Sequence, residues 1–251
     1  MILNYEVNNE INRVYIKKNI NLFILRELER LFSDKKILFI YDHNVSKKFI
    51  NDILENLKLS GCKITSLKLL GSKKNKSTKT LFKIVDNLIK NKFTKKSVIV
   101  SLGGGVIGDI CGLASSLYLR GLIYMHIPTT VTAIIDSCIG GKTSINFDKY
   151  KNQLGNFYPP KKIILDTNLL NTLKKRDIKS GLGEMAHYYL VSNLSDWKFF
   201  KKNLKNQLKR NFNKNIMRKL IFKSLKIKKS FIEKDEFDKG PRLILNYGHT
   251  F

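Results

Sequence analysis

Acidic residues are scarce in this chain of 251 residues. Asp and Glu number 20 against 47 Lys and Arg, which gives a formal net charge of +27. Such an excess is typical of proteins that bind nucleic acids or anionic surfaces. Only eight of the 47 basic residues are Arg, although Arg recognises phosphates and base edges better than Lys does. The lysines are spread among Asn and Ile along the whole chain, so we expect attraction for anionic metabolites and no nucleic-acid partner.

Cysteine and long apolar runs are also rare. The three cysteines are widely spaced and odd in number, which fits a reducing cytoplasm better than a disulfide framework. No apolar run reaches the roughly 18–20 residues that a membrane-spanning helix needs, and the N-terminus lacks the basic start and apolar core of a signal peptide. We therefore predict a cytoplasmic protein without a membrane segment. Apolar residues make up 43% of the chain, too many for a disordered protein.

Short apolar runs alternate with segments of helical spacing over the first two thirds of the chain. Strands are predicted at 36–41, 63–70, 97–102, 122–127 and 161–165, helices at 48–59, 81–89 and 109–119, and a loop at 72–80. This alternation predicts a mainly parallel sheet with helices on both faces. After residue 167 the strand signals stop, and apolar residues recur at helical spacing among lysines. The sequence thus predicts an α/β domain over residues 1–167 and an all-α domain over residues 168–251.

A glycine run follows the third predicted strand. Gly103, Gly105 and Gly108 satisfy the spacing G-x-G-x-x-G, with a helix predicted after them. Glycine lets the backbone approach a diphosphate, and the N-terminus of a helix favours its negative charge. On spacing alone, a tight structural turn explains the pattern equally well.

Residues 128–152 are rich in Gly, Thr, Lys, Asp and Asn. The tetrapeptide Gly140-Gly141-Lys142-Thr143 resembles a P-loop, but Asp136 stands where that motif has its first glycine, so the match fails. Lys142 and Lys151 nevertheless lie close to glycines, a combination that favours an anion site over a solvated loop.

One carboxylate and two imidazoles follow in the helical region. Glu184 and His187 are three residues apart and so share one face of a helix, and His249 follows another predicted helix. These side chains suit a catalytic zinc with an open coordination position. From spacing alone, a capping Glu and hydrogen-bonded histidines are the stronger explanation.

Taken in order, these segments closely resemble the 3-dehydroquinate synthase family of the sugar phosphate cyclases. The resemblance runs from about Asp42 to the last residue. Its motifs are residues 103–109, Tyr118-Leu119-Arg120-Gly121, Pro128-Thr129-Thr130, Asp136-Ser137, residues 140–143, Lys151-Asn152, Gly183-Glu184, Asp235-Glu236, Gly240-Pro241-Arg242 and residues 246–251.

The resemblance implies a fold and an activity. The fold would be an N-terminal NAD-binding α/β domain followed by an all-α metal and substrate domain, incomplete here. Enzymes of this family convert 3-deoxy-D-arabino-heptulosonate 7-phosphate to 3-dehydroquinate and phosphate, a step of aromatic amino acid biosynthesis. NAD oxidises a ring hydroxyl and is regenerated in each turnover, and a divalent metal, Zn²⁺ or Co²⁺, polarises that hydroxyl.

The resemblance also implies site residues. Metal ligands would be Glu184 and His249. Substrate-binding or catalytic residues would be Arg120, Asp136, Lys142, Asn152, His187, Lys228, Arg242 and Asn246. NAD contacts would come from Asp42, Lys76, Gly105, Val106, Ile107, Gly108, Asp109, Thr129, Thr130, Lys142, Lys151, Leu169, Leu170, Asn171 and Thr172. Arg120 would reach the substrate of a neighbouring subunit, which implies a homodimer.

Three features depart from the family's pattern. The sequence stops within the family's Gly-His-Thr-Phe-Gly-His run, so a third zinc ligand would lie beyond Phe251, and we expect these 251 residues alone to be inactive. His187 stands where the family has Lys, and the loop before Lys76 lacks an acidic residue.

These departures leave alternatives open. They are another sugar phosphate cyclase, of the 2-epi-5-epi-valiolone or 2-deoxy-scyllo-inosose synthase type, a zinc polyol dehydrogenase, a catalytically incompetent NAD-binding fragment, and a basic nucleic-acid-binding protein.

Overall fold

A seven-stranded sheet forms the centre of the computed structural model, which describes residues 1–7, 10–17, 35–59, 61–208 and 212–246. Its strands are β1 (Ile2–Val7), β2 (Glu10–Lys17), β3 (Lys36–Asp42), β4 (Lys63–Leu69), β5 (Val98–Gly103), β6 (Ile123–Pro128) and β9 (Lys162–Asp166). They lie in the order β1-β2-β9-β6-β5-β3-β4. The β1–β2 pair is antiparallel and the other pairs are parallel, which confirms the predicted mainly parallel sheet.

Helices cover both faces of this sheet, because successive strand residues point to opposite sides. The helices are α1 (Lys47–Leu59), α2 (Thr78–Lys90) and α3 (Gly105–Leu117). Phe39 of β3 packs in one apolar core with Ile53 of α1. Its neighbour Leu38 packs in a second core with Ile84 of α2 and Ile110 of α3. Every residue of β5 is buried, as expected for a parallel strand between two helical layers.

Three further helices follow the last strand: α4 (Lys175–Leu190), α5 (Leu194–Gln207) and α6 (Lys214–Ile232). This confirms the predicted helical C-terminal part. Their apolar sides share one core with β1 and β2, where Met185 and Leu220 lie in the same cluster as Tyr5 and Val14. Because this core joins both ends of the chain, the domain boundary near residue 167 stays a prediction. Within the described ranges, no helix is long and apolar enough to cross a membrane.

The structure also contains elements that we did not predict. Strands β1 and β2 precede the first predicted strand, and residues 142–157 form a separate hairpin of β7 (Lys142–Phe147) and β8 (Tyr150–Phe157). The loop predicted at 72–80 is shorter, because α2 already begins at Thr78. Helix α3 begins at Gly105 instead of residue 109, so the glycine run itself forms its first turn.

Candidate active site

One cavity of about 700 Å³ lies where the carboxyl ends of the parallel strands meet α3. Asp42 ends β3, Gly104 caps α3, and Thr129 and Thr130 follow β6. All four residues line the cavity. The cavity therefore presents a carboxylate at one side and the N-terminus of a 13-residue helix at another.

Two glycines of this cavity lie close to neighbouring side chains. A Cβ on Gly71 would overlap Oδ2 of Asp42, and one on Gly104 would come within 3.3 Å of Cγ2 of Thr130. Oδ1 of Asp42 accepts hydrogen bonds from the backbone N–H of Asn44 at 3.0 Å and of Gly71 at 3.3 Å, which fixes the carboxylate in place. A fixed carboxylate can accept hydrogen bonds from ribose hydroxyls, and a helix N-terminus stabilises a diphosphate. The cavity therefore fits a dinucleotide.

The residues expected to contact NAD fall into three groups. The first group lines this cavity: Asp42, Gly105, Val106, Thr129, Thr130, Leu169 and Thr172. The second group is buried and could offer only backbone atoms: Ile107, Gly108 and Leu170. The third group lies elsewhere: Lys151 and Asn171 are exposed, Asp109 and Lys142 line a second cavity, and Lys76 contacts Asp109 at that cavity.

The second cavity, of about 570 Å³, gathers most of the residues expected to bind substrate. They come from distant parts of the chain: Asp136 from the turn after β6, Asn152 from β8, Lys228 from α6, and Arg242 and Asn246 from a short helix at residues 241–246. Lys142, at the start of β7, completes the set. The fold thus brings together cationic and amide groups from positions as distant in sequence as Lys142 and Asn246.

Lys228 and Asp136 form an ion pair in this cavity. The Lys228 ammonium donates to a carboxylate oxygen of Asp136 and, at 2.5 Å, to its backbone carbonyl. The lysine side chain is 7% exposed and the aspartate side chain 32% exposed. The Tyr188 hydroxyl donates to the same carboxylate at 2.5 Å. Burial and the neighbouring Asp136 raise the pKa of Tyr188 well above its ordinary value, so the tyrosine stays a proton donor at neutral pH.

Arg242 and Lys142 meet at an aspartate that the sequence analysis did not select. The Lys142 ammonium pairs with Oδ2 of Asp238, and the Asn246 side-chain amide donates to the same oxygen at 3.0 Å. Oδ1 of Asp238 lies 3.8 Å from Nε of Arg242. The buried Arg242 guanidinium also donates to the backbone carbonyl of Glu236 at 2.5 Å. Asp238 has a positive φ of 58° and stands two residues before Gly240, but it belongs to none of the motifs named from the sequence.

Lys76, Asp109 and Asn152 form a third polar group beside the cavity. The Lys76 ammonium lies 2.5 Å from Oδ2 of Asp109 and donates to the side-chain carbonyl of Asn152 at 2.6 Å. Burial raises the pKa of Asp109 to about 6, although the neighbouring Lys76 partly counteracts the effect. The carboxyl of Asp109 can therefore exchange a proton near neutral pH.

The residues expected to hold a metal are only partly described. Glu184 and His187 lie on α4, three residues apart, and the His187 ring stacks on Tyr188 at 6.2 Å between ring centroids. His249 lies outside the described residues. Within the described ranges, no three His, Cys, Asp or Glu side chains come close enough to hold a metal ion. The described residues alone thus do not complete a metal centre.

Arg120 stands apart from both cavities. It is exposed and lies in a turn after α3 where both Leu119 and Arg120 have positive φ, 49° and 64°. It lines neither cavity, so its role towards a neighbouring subunit stays a prediction.

Comparison with solved structures assigns the fold. The chain superposes on 2-deoxy-scyllo-inosose synthase, solved with carbaglucose-6-phosphate, NAD⁺ and Co²⁺, with a TM-score of 0.90 at 23% identity, covering 100% of this chain and 67% of that one. It superposes on 2-epi-5-epi-valiolone synthase from Streptomyces hygroscopicus, solved with NAD⁺ and Zn²⁺, with a TM-score of 0.88 at 22% identity, covering 98% and 68%. The class of protein is therefore an α/β protein with a helical C-terminal part, in the fold of the sugar phosphate cyclases.

Sequence comparison narrows this class to one family. The family model for the 3-dehydroquinate synthase N-terminal part matches residues 66–180, and the model for the C-terminal part matches residues 181–251. The 3-dehydroquinate synthase of Clostridium acetobutylicum is 37% identical over 248 residues, which cover 99% of this chain and 68% of that protein. The enzyme of Pelagibacter ubique is 38% identical, with 94% and 62% covered. The chain belongs to the 3-dehydroquinate synthase family and spans about two thirds of the length of these relatives.

Proposed function

We propose that the protein containing this chain converts 3-deoxy-D-arabino-heptulosonate 7-phosphate to 3-dehydroquinate and phosphate. The observation that carries the proposal is the cavity in which Lys142, Lys228, Arg242 and the amide side chains of Asn152 and Asn246 converge. A substrate with both a carboxylate and a phosphate needs several such donors, because each charge-assisted hydrogen bond holds one anionic oxygen. Membership of the 3-dehydroquinate synthase family supports the same reaction.

NAD is the cofactor that we propose for the first cavity. When bound, NAD would take the hydride from the ring carbon that carries a hydroxyl, as that hydroxyl loses its proton, and would return the hydride later in the same turnover. The chain's part is to hold the dinucleotide: the α3 N-terminus faces the diphosphate, and Asp42 accepts hydrogen bonds from ribose hydroxyls. Glu184, together with His249, would ligate a divalent metal that polarises the hydroxyl. The two fold relatives solved with NAD⁺ and Co²⁺ or Zn²⁺ support both assignments.

The residues of the second cavity would bind, orient and exchange protons. Lys228 and Arg242 would pair with the substrate carboxylate, and Asn246 would hydrogen-bond to it. Lys142 would hold a phosphate oxygen as a compact point charge. Asp136 accepts from both Lys228 and Tyr188, so it fixes the direction of the lysine ammonium. Asp109, with its pKa near 6, is the group best suited to take up or release a proton here.

We also propose that the protein works as a cytoplasmic homodimer. Exposed Arg120 would then reach the phosphate of the substrate in the neighbouring subunit. Mixing Arg120→Ala subunits with Lys142→Met subunits tests this arrangement. Each parent should have strongly reduced activity, and the mixture should recover activity above both parents through hybrid dimers.

The substrate is tested by comparing three sugar phosphates on the full-length protein with NAD and zinc. We expect phosphate release from the heptulosonate substrate alone. Release from sedoheptulose 7-phosphate or glucose 6-phosphate instead would assign the chain to another cyclase reaction, which His187 at the family's Lys position favours. Net accumulation of NADH would indicate a polyol dehydrogenase and contradict the proposal.

A further inference from the structure

Asp238 holds the cationic groups that the substrate itself would need. Its Oδ2 accepts from the Lys142 ammonium and, at 3.0 Å, from the Asn246 side-chain amide. Its Oδ1 lies 3.8 Å from Nε of Arg242. One carboxylate thus contacts three side chains that line the second cavity. Lys142 comes from the start of β7, and Arg242 and Asn246 come from the short helix at 241–246. These contacts have the composition of a site for an anionic ligand, and a side chain of the protein occupies it.

The surroundings of Asp238 favour an exchangeable contact over a fixed structural one. Asp238 lies in the irregular segment between α6 and the short helix at 241–246, with a left-handed backbone. The neighbouring Asp235, not Asp238, fixes this segment, because it accepts from the backbone N–H groups of Lys239 at 2.9 Å, Gly240 at 2.7 Å and Arg242 at 3.1 Å. The Lys142 side chain is 45% exposed, so it can turn from Asp238 towards a ligand.

The charges that line the second cavity also favour an exchangeable Asp238 contact. Lys142, Lys228 and Arg242 are opposed by Asp109, Asp136 and Asp238 in the cavity lining. A phosphate that reaches Lys142 would lie next to the Asp238 carboxylate, and two anions at such a distance repel each other in a partly desolvated site. Binding of an anion at Lys142 therefore competes with Asp238.

We propose that Asp238 is an internal competitor for anions: its carboxylate occupies Lys142 and Asn246 in the ligand-free site and keeps the affinity for small anions, including released phosphate, low. The proposal rests on the proposed function only for the identity of the substrate, because the competition applies to any anion that binds at Lys142. In the enzyme it would speed the exchange of product phosphate for the next substrate.

The test is Asp238→Asn, which keeps the size and one hydrogen-bond acceptor but removes the negative charge. Binding of inorganic phosphate is measured by isothermal titration calorimetry at low salt. We expect the variant to bind phosphate at least about tenfold more tightly than the unaltered protein, a difference of roughly 1.4 kcal/mol. The gain should disappear in the double variant Asp238→Asn with Lys142→Met, because the cation for which the two anions compete is then gone.

The matched control is Asp148→Asn. Asp148 is also an aspartate with positive φ, 52°, but it is exposed at the hairpin turn between β7 and β8. This control removes the same charge at a position that does not line the second cavity. Phosphate affinity should therefore stay unchanged, which would exclude a general effect of net charge. Thermal melting of each variant shows that it is folded.

Unchanged or weaker phosphate binding by folded Asp238→Asn would overturn the proposal and make Asp238 a fixed support for Lys142. A gain equal to that of Asp148→Asn would overturn it too. Failure of the full-length protein to release phosphate from the heptulosonate would refute the proposed function alone, because the calorimetry does not depend on turnover.

Discussion

Replacing Lys228 by Met should destabilise the protein as well as impair the site. Met keeps most of the side-chain volume but removes the ammonium that donates to Asp136, and Lys228 lies 7% exposed on α6. Breaking a buried ion pair by removing one partner costs about 3–5 kcal/mol, because the other charge is left uncompensated. Asp136 is one-third exposed and keeps the hydrogen bond from Tyr188, so we expect the lower value of about 2–3 kcal/mol.

Urea unfolding followed by circular dichroism measures this loss. The slope of the unfolding free energy against urea concentration should be the same in the variant and the unaltered protein. For a protein of this size, the loss corresponds to a decrease in Tm of about 5–10 °C. The control is Lys219→Met, which removes an exposed lysine from the same helix and should change stability by less than about 0.5 kcal/mol. Adding Asp136→Asn to Lys228→Met should recover part of the loss, because no uncompensated carboxylate then remains. If Lys228→Met and Lys219→Met unfold at the same urea concentration, the inference that the Lys228–Asp136 ion pair stabilises the fold is wrong.

Three further predictions concern the two cavities. Lys142→Met should lower kcat/KM of the full-length enzyme at least about tenfold. Its stability should change by less than about 1 kcal/mol, because the Lys142 side chain is nearly half exposed. An unchanged kcat/KM would make residues 140–143 a structural loop. Gly71→Ala should weaken NAD binding at least about tenfold in a fluorescence titration, because the new Cβ overlaps Asp42. The control Gly183→Ala, whose Cβ meets no atom within 4 Å, should leave NAD binding unchanged. Equal NAD affinities in the two variants would remove Asp42 from the cofactor site. Because burial raises the pKa of Asp109 from 3.8 to about 6, the folded state binds its proton more tightly than the unfolded chain does, so the stability that Asp109 contributes falls as pH rises between about 4 and 6. The free energy of unfolding of Asp109→Asn, relative to the unaltered protein, should therefore rise across that window in urea titrations, and a flat difference would contradict the raised pKa.

Strands β3, β5, β6 and β9 were predictable from the sequence because they are buried on both faces. Residues 36–42 and 98–103 carry nearly continuous apolar runs, and such runs can be recognised without knowledge of their partners. Strand β8, in contrast, is exposed along almost its whole length and reads YKNQLGNF. It has no apolar face, and its pairing with β7 depends on a turn that contains no glycine.

Site residues that belong to a sequence motif were predictable, whereas those that depend on contacts between distant segments were not. The glycine run and the cluster of Lys142 and Asn152 were visible in the sequence, and the structure places them at the two cavities. Asp238 could not be identified in this way, because its importance comes from contacts with Lys142 and Asn246, of which the first is 96 residues away. Lys76 was expected beside NAD, but its ammonium contacts Asp109 and Asn152 at the second cavity. The direction of a long side chain follows from packing, which sequence spacing does not contain.

The central claim is that the protein containing this chain binds NAD in the first cavity and a phosphate-bearing heptulosonate in the second, and uses the cofactor without consuming it. The most direct measurement follows phosphate release and NADH absorbance together, on the full-length protein with zinc and a small, known amount of NAD. The account predicts many phosphates released for each NAD added, with no accumulation of NADH. Phosphate release limited to one equivalent per NAD, with matching accumulation of NADH, would contradict it.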